Sequence, residues 1–112
     1  MDNMKQDKSQ VSIIIPTYNE AENIIQVLKS IGEYIPEGIT TEALVVDDNS
    51  PDGTGKIVVD YIPDAQNEIG YDIQVIYRKA KSGLSSAILD GIQHSSGETV
   101  VVMDSDFHTH QK

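Results

Sequence analysis

Short apolar runs alternate along this chain with segments whose apolar residues recur every three or four positions. Val11-Ser12-Ile13-Ile14-Ile15 is β-branched and nearly continuous, as expected of a strand covered on both faces, and Pro16 is read as its end. Asn19, with Glu22 three residues on, has the spacing of a capping box and predicts a helix over 20–34. Ala21, Ile24, Ile25, Leu28, Ile31 and Ile35 form its inward stripe, and Pro36-Glu37-Gly38 closes the unit. A second strand over 42–46 runs into Asp47-Asp48, and Ser50-Pro51-Asp52-Gly53 is a turn by composition. A short second helix carries Ile57, Val58, Tyr61 and Ile62 on one face. Pro63 is expected to end it, leaving 64–71 as a polar connection. The third strand, 73–77, is less apolar and is placed at a sheet edge. Gly83 opens a third helix with Leu84, Ala87, Ile88 and Ile92 inward, closed by Ser95-Ser96-Gly97. The last strand, 99–103, is apolar enough to be buried and runs into Asp104-Ser105-Asp106.

Four strands alternating with three helices predict an α/β fold: a Rossmann-like parallel sheet of right-handed βαβ units with helices on both faces. Ligands of such sheets sit outside the C-terminal strand ends, near the point where strand order reverses. The polar clusters at 16–20, 47–50, 78–79 and 104–106 all fall at those ends. Residues 1–10 are polar, lack the apolar stretch of a secretory signal, and read as a flexible leader to one domain over 11–112.

Composition narrows the function classes. Eighteen acidic side chains against eight basic ones give a formal net charge of −10, which argues against a nucleic-acid partner. With 38% hydrophobic residues the 112-residue chain can build a modest core. The absence of cysteine excludes disulfides and thiolate metal sites and fits a cytoplasmic setting. No apolar run approaches the ~20 residues of a membrane span.

The clusters suggest particular chemistry. Asp104 and Asp106, one residue apart, repel unless a cation or protons intervene, and carboxylate oxygens suit Mg²⁺ or Mn²⁺; a solvated acidic loop is the competing reading. His108 and His110 follow closely enough to join a metal shell, or are ordinary exposed histidines. Asp47 and Asp48 can accept hydrogen bonds from a base or ribose, or form a plain strand-to-turn junction. Arg78, Lys79 and Lys81, ahead of Gly83, can reach pyrophosphate oxygens, or are a solvated basic turn.

Four segments together, VSIIIPTYNE (11–20), VVDDNSPDGTG (45–55), RKAKSGLSSAILDG (78–91) and GETVVVMDSD (97–106), resemble the family 2 glycosyltransferases. The similarity is greatest to the polyprenol-phosphate (dolichol-phosphate) mannosyl- and glucosyltransferase branch. That resemblance implies the nucleotide-binding half of a GT-A fold, a nucleoside-diphosphate sugar donor such as GDP-mannose or UDP-glucose, Mg²⁺ or Mn²⁺, inversion at the anomeric carbon, and a polyprenyl-phosphate acceptor at the cytoplasmic face of a membrane. By matched position, Pro16, Tyr18 and Glu20 would lie around the nucleotide. Asp48, with Asp47, would contact base and ribose, and Arg78, Lys81 and Gly83 would form the basic loop. Asp104, Ser105 and Asp106 would bind metal and diphosphate.

Two departures qualify the match. The branch continues its D-x-D with Leu-Gln-His-Pro-Pro-Glu, whereas this chain has Phe107-His108-Thr109-His110-Gln111-Lys112, so His108 stands where a Gln can join the metal shell. Full family members also continue well beyond this length with the acceptor half and catalytic base, so no catalytic residue is assigned. The alternative is a non-catalytic nucleotide-binding or interaction module of the same fold. A receiver domain would need its acidic pair after the first strand, where Pro16-Thr17-Tyr18 stands, and a dinucleotide oxidoreductase would need a G-x-G-x-x-G there.

Overall fold

Strand and helix alternate in the expected order in a computed structural model that describes residues 9–79 and 83–103. The elements are β1 (Val11–Thr17), α1 (Ile24–Tyr34), β2 (Thr41–Asp47), α2 (Thr54–Glu68), β3 (Asp72–Tyr77), α3 (Leu84–His94) and β4 (Thr99–Val102). The four strands form one parallel sheet in the order β3-β2-β1-β4, with Ile13 level with Ala43 and Val101. The chain steps outward from β1 to β3, and α3 then carries it back to β4 on the other side of β1. Strand order therefore reverses at β1, the topological switch point of such sheets.

Successive strand residues point to opposite faces, and the core divides accordingly. Ile13, Ile15, Ala43, Val45 and Ile73 pack under α1 and α2 with Ile24, Leu28, Ile31 and Val58. Ile14, Leu44 and Val46 face α3 through Ala87. Helices cover both faces, and β3 is an edge strand, as the sequence pattern predicts.

Several boundaries differ from the sequence reading for identifiable reasons. Pro16 does not end β1, which continues to Thr17. The Met103 amide donates to the Ile14 carbonyl, so Ile14 faces β4, and Pro16, two residues on, turns its missing donor to that same side past the last β4 pairing. Helix α1 begins at Ile24 rather than residue 20, because Asn19 adopts a left-handed conformation (φ 58°) instead of capping. Pro63 lies inside α2, which continues to Glu68, so 64–71 is largely helix. Pro63 is on the exposed side, where water can serve the carbonyl it leaves unpaired, while Ala65 is buried and anchors the second half. On α3, Leu84 and Ile92 are exposed and Gly91 is the inward residue. A Cβ at Gly91 would lie 2.5 Å from Ile14 Cγ2, so the helix sits too close to the sheet for a side chain there.

Strand β4 is the largest departure. Among the described residues it pairs only with β1, and Val100, Val101 and Val102 are 37–46% exposed rather than buried. Between β4 and α1 runs an apolar groove of about 590 Å³, lined by Ile13, Val27, Ile31, Tyr34 and Val101 among others. It holds few polar groups.

The buried Tyr71 hydroxyl donates to the Leu28 carbonyl at 2.7 Å, tying the start of β3 to α1. Burial, then the nearby Tyr61, pushes its ionisation above the ordinary value of 10.0. The neutral phenol is thus favoured in the fold: its contribution is complete below the unfolded pKa and is lost as pH rises above it. Tyr71→Phe is expected to cost about 1 kcal/mol near neutral pH and to flatten the loss of stability in alkali, checked by urea denaturation across pH.

Candidate functional site

The C-terminal strand ends come together in one crevice edge. Thr17, Asp47 and Tyr77 are in register across β1, β2 and β3, so the residues after them start from a common line. Asp48 N–H donates to the Thr17 carbonyl and Arg78 N–H to the Asp47 carbonyl, extending the ladder one step beyond the strands.

Asp47 and Asp48, adjacent in sequence, are divided by the sheet. Asp47 shares the α1/α2 face with Val45, and Asp48 the α3 face with Val46. Asp47 is 2% exposed and accepts from Thr17 Oγ1 at 2.7 Å, Ser50 Oγ at 2.6 Å and Ser50 N at 3.0 Å. It organises the turn after β2. Gly55 lies beside it, where a Cβ would meet the Tyr77 ring at 2.5 Å and Asp47 Oδ2 at 3.3 Å.

The turn after β2 also holds the loop after β1. Ser50 Oγ accepts from Asn19 N at 2.9 Å, Thr54 Oγ1 from Glu20 N at 2.9 Å, and Asp52 Oδ2 from Ala21 N at 3.0 Å. Asp52 Oδ1 also accepts from Thr54 N at 3.0 Å and from the Thr54 hydroxyl. Slight burial of Asp52 works against its charge, but the Thr54 hydroxyl and the Ala21 and Thr54 amides outweigh it and hold the carboxyl below its ordinary range. Residues 19–21 are therefore shaped from a distant loop, not by a local capping box. Glu20 is buried and Tyr18 is 39% exposed at this edge; Pro16 is partly buried.

On the opposite face Asp48 forms a buried ion pair with Arg78, between Oδ1 and Nε. Arg78 Nη1 donates to Asp90 Oδ2 at 2.8 Å and to Ser86 Oγ at 2.9 Å, both on α3. Burial works against the guanidinium charge, but the hydrogen bonds and charges of Asp48 and Asp90 override it and raise the pKa. Arg78 is 8% exposed, so its charge is directed into the protein rather than out toward a ligand phosphate. Among the described residues, its Nη2 is the one buried side-chain nitrogen or oxygen without a partner. Lys79 is exposed, its carbonyl accepting from Asn49 Nδ2 at 3.2 Å, and Gly83 caps α3 with φ 101°.

Pro16, Tyr18, Glu20, Asp47, Asp48, Arg78 and Gly83 thus lie at or near one edge. Lys81, Asp104, Ser105, Asp106 and His108 lie outside the described residues. Among the described residues no group of three or more His, Asp or Glu is arranged to hold a metal ion. Asp47 and Asp48 are both engaged by protein donors. The sequence places Thr17 and Ser50 within the strand-end clusters without giving either a role, and singles out none of Thr54, Ser86 and Asp90. Only the i, i+4 spacing of Ser86 and Asp90 hinted that those two share a helix face.

The sequence profile of Glycosyl transferase family 2 matches residues 12–111. The dolichol-phosphate mannosyltransferase of Pyrococcus furiosus is 40% identical over 97 residues, covering 87% of this chain and 26% of that protein. The mannosyltransferase PcManGT of Pyrobaculum calidifontis, solved with GDP-Man and Mn²⁺, superposes with a TM-score of 0.71 at 29% identity over 88% of this chain and 28% of its own. S. aureus TarS, solved with UDP-GlcNAc, gives a TM-score of 0.70 at 31% identity, over 87% of this chain and 26% of its own. The chain spans 26–35% of the length of the first curated relatives it matches.

Proposed function

The chain belongs to glycosyl transferase family 2, and from that membership we propose that residues 11–112 are the donor-binding domain of a hexosyltransferase. It takes a nucleoside-diphosphate sugar with Mg²⁺ or Mn²⁺. Together with the further length present in its relatives, it serves inverting transfer of a hexose to an acceptor such as polyprenyl phosphate. The observation that carries this reading is the crevice edge at the switch point, where two interlocked loops and the Asp48–Arg78 pair meet.

Its chemistry suits a nucleoside. A carboxylate at Asp48 can accept the imino N–H that guanine and uracil share and that adenine and cytosine lack. Solved relatives with GDP-Man and with UDP-GlcNAc accord with either base. Tyr18, partly exposed beside Glu20, offers a ring face and a hydroxyl to base or ribose. The diphosphate is a harder ligand for a chain of net charge −10, since Arg78 is already neutralised within the fold. Lys79, Lys81 and a cation held by Asp104, Asp106 and His108 meet that need. When bound, the cation neutralises charge on the leaving nucleoside diphosphate. Among the described residues no helix is long and apolar enough to cross a membrane.

A thermal-shift screen tests the reading. GDP, UDP and their sugar conjugates with Mn²⁺ are expected to raise the melting temperature, and ADP and CDP to leave it nearly unchanged. No shift with any nucleotide would sink it.

A further inference from the structure

We propose that Asp90, on α3, is a positioning residue for the nucleotide site: it holds Arg78 so that only one oxygen of Asp48 is engaged by the guanidinium. This rests on the donor-binding reading above. Asp90 belongs to none of the crevice loops, and its carboxylate reaches the site only through Arg78.

A guanidinium presents five N–H groups in a rigid fork, and its most favourable pairing with one carboxylate is two parallel bonds along an edge. Arg78 does not adopt that pairing with Asp48. Its Nε takes Asp48 Oδ1, its Nη1 is held by Asp90 Oδ2 at 2.8 Å and Ser86 Oγ at 2.9 Å, and Nη2 is left buried without a partner among the described residues. Nη2 lies on the same edge of the fork as the Nε–H that faces Asp48. A modest rotation of the guanidinium would give Nη2 the second oxygen of Asp48 and complete the two-bond pairing. The bonds from Nη1 to Asp90 and Ser86 oppose that rotation.

Burial gives this arrangement leverage. The Arg78 and Asp48 side chains are 7% and 8% exposed, so water does little to loosen either, whereas the Asp90 side chain is 40% exposed and can be changed without opening the core. Ser86 and Asp90 are four residues apart on one helix face, so α3 presents both to the same nitrogen. The consequence is an Asp48 carboxylate half engaged by the protein and half available as an acceptor. Without Asp90, Arg78 closes onto both oxygens, and the acceptor is lost to a ligand while the protein gains a hydrogen bond.

The proposal separates two quantities that a purely structural role would move together. In Asp90→Ala, affinity for GDP or UDP in the presence of Mn²⁺, read by titration calorimetry, is expected to fall roughly ten-fold, the scale typical of a residue acting through one neighbour. The unfolding midpoint of the ligand-free variant stays within a degree or so of the parent or rises. Binding of Mn²⁺–pyrophosphate, which carries no base, is unchanged, and Asp90→Glu recovers part of the lost affinity. Ser86→Ala shifts nucleotide affinity in the same direction by less. Unchanged nucleotide affinity in Asp90→Ala overturns the inference and leaves the donor-binding reading standing. So does an equal loss of nucleotide and pyrophosphate binding, or a lowered midpoint with unaltered affinity of the folded protein. If the parent chain binds no nucleotide at all, the donor-binding reading fails and this inference falls with it.

Discussion

Arg78→Met is expected to lower the unfolding free energy by about 3–5 kcal/mol, the usual scale for removing one partner of a buried ion pair. The guanidinium answers two carboxylates. Asp48 is buried with it, and Asp90 is half exposed. Methionine fills much of the same volume, so the loss measures charge and hydrogen bonding more than a cavity. Asp48 would be left buried with no cation beside it, which the fold can relieve only by admitting water at the end of β2. Asp90 can turn to solvent and contributes less to the penalty. The companion change Asp48→Asn should cost clearly less, because Arg78 keeps Asp90 and Ser86. Chemical denaturation of the three proteins at neutral pH checks this order. A methionine variant as stable as the parent would show that the pair contributes nothing net. Nucleotide binding should be lost in Arg78→Met even where the variant remains folded, since Asp48 has lost the partner that orients it.

The second large effect concerns the acidic pair after β4. With ligand at a hundred times its dissociation constant, a bound nucleotide stabilises the folded chain by about 2.7 kcal/mol. In the double variant Asp104→Ala, Asp106→Ala, the part of that stabilisation that depends on Mn²⁺ should vanish. The ligand-free protein should be no less stable, because two like charges one residue apart have been removed. His108→Ala should weaken the Mn²⁺ increment without abolishing it, as expected where imidazole is one ligand among several. Thermal melts with GDP or UDP, with Mn²⁺ and with a chelator, separate these outcomes. A Mn²⁺ increment that survives the double change would place the cation elsewhere.

Much of the fold was legible because the sequence signals are local. Alternating apolar runs and helical stripes depend on a few neighbouring residues, so four strands, three helices, a parallel sheet and an edge position for β3 could be read directly. The errors share a different origin. Asn19 has the composition of a cap, but its loop is held by Ser50, Thr54 and Asp52 from some thirty residues away. Pro63 reads as a stop, but its place on the exposed side of α2 makes the missing bond tolerable. The valines of β4 read as buried, yet a strand's burial depends on what lies beyond it. In the described residues, β4 has β1 on one side only.

The site divides along the same line. Sequence alone determined which residue types gather at the strand ends, because a βαβ chain delivers every strand's C-terminal end to one edge and the polar clusters follow those ends. Which carboxylate does what was decided only by tertiary structure. The pleat sends Asp47 and Asp48 to opposite faces, where the chain supplies different partners: Thr17 and Ser50 for Asp47, and Arg78 for Asp48. Asp47 becomes a turn organiser under α2. Asp48 becomes one end of an ion-paired series that runs through the buried Arg78 to the partly exposed Asp90. Arg78 and Asp90 lie about 30 and 42 residues from Asp48 along the chain, a separation over which no local pattern carries information.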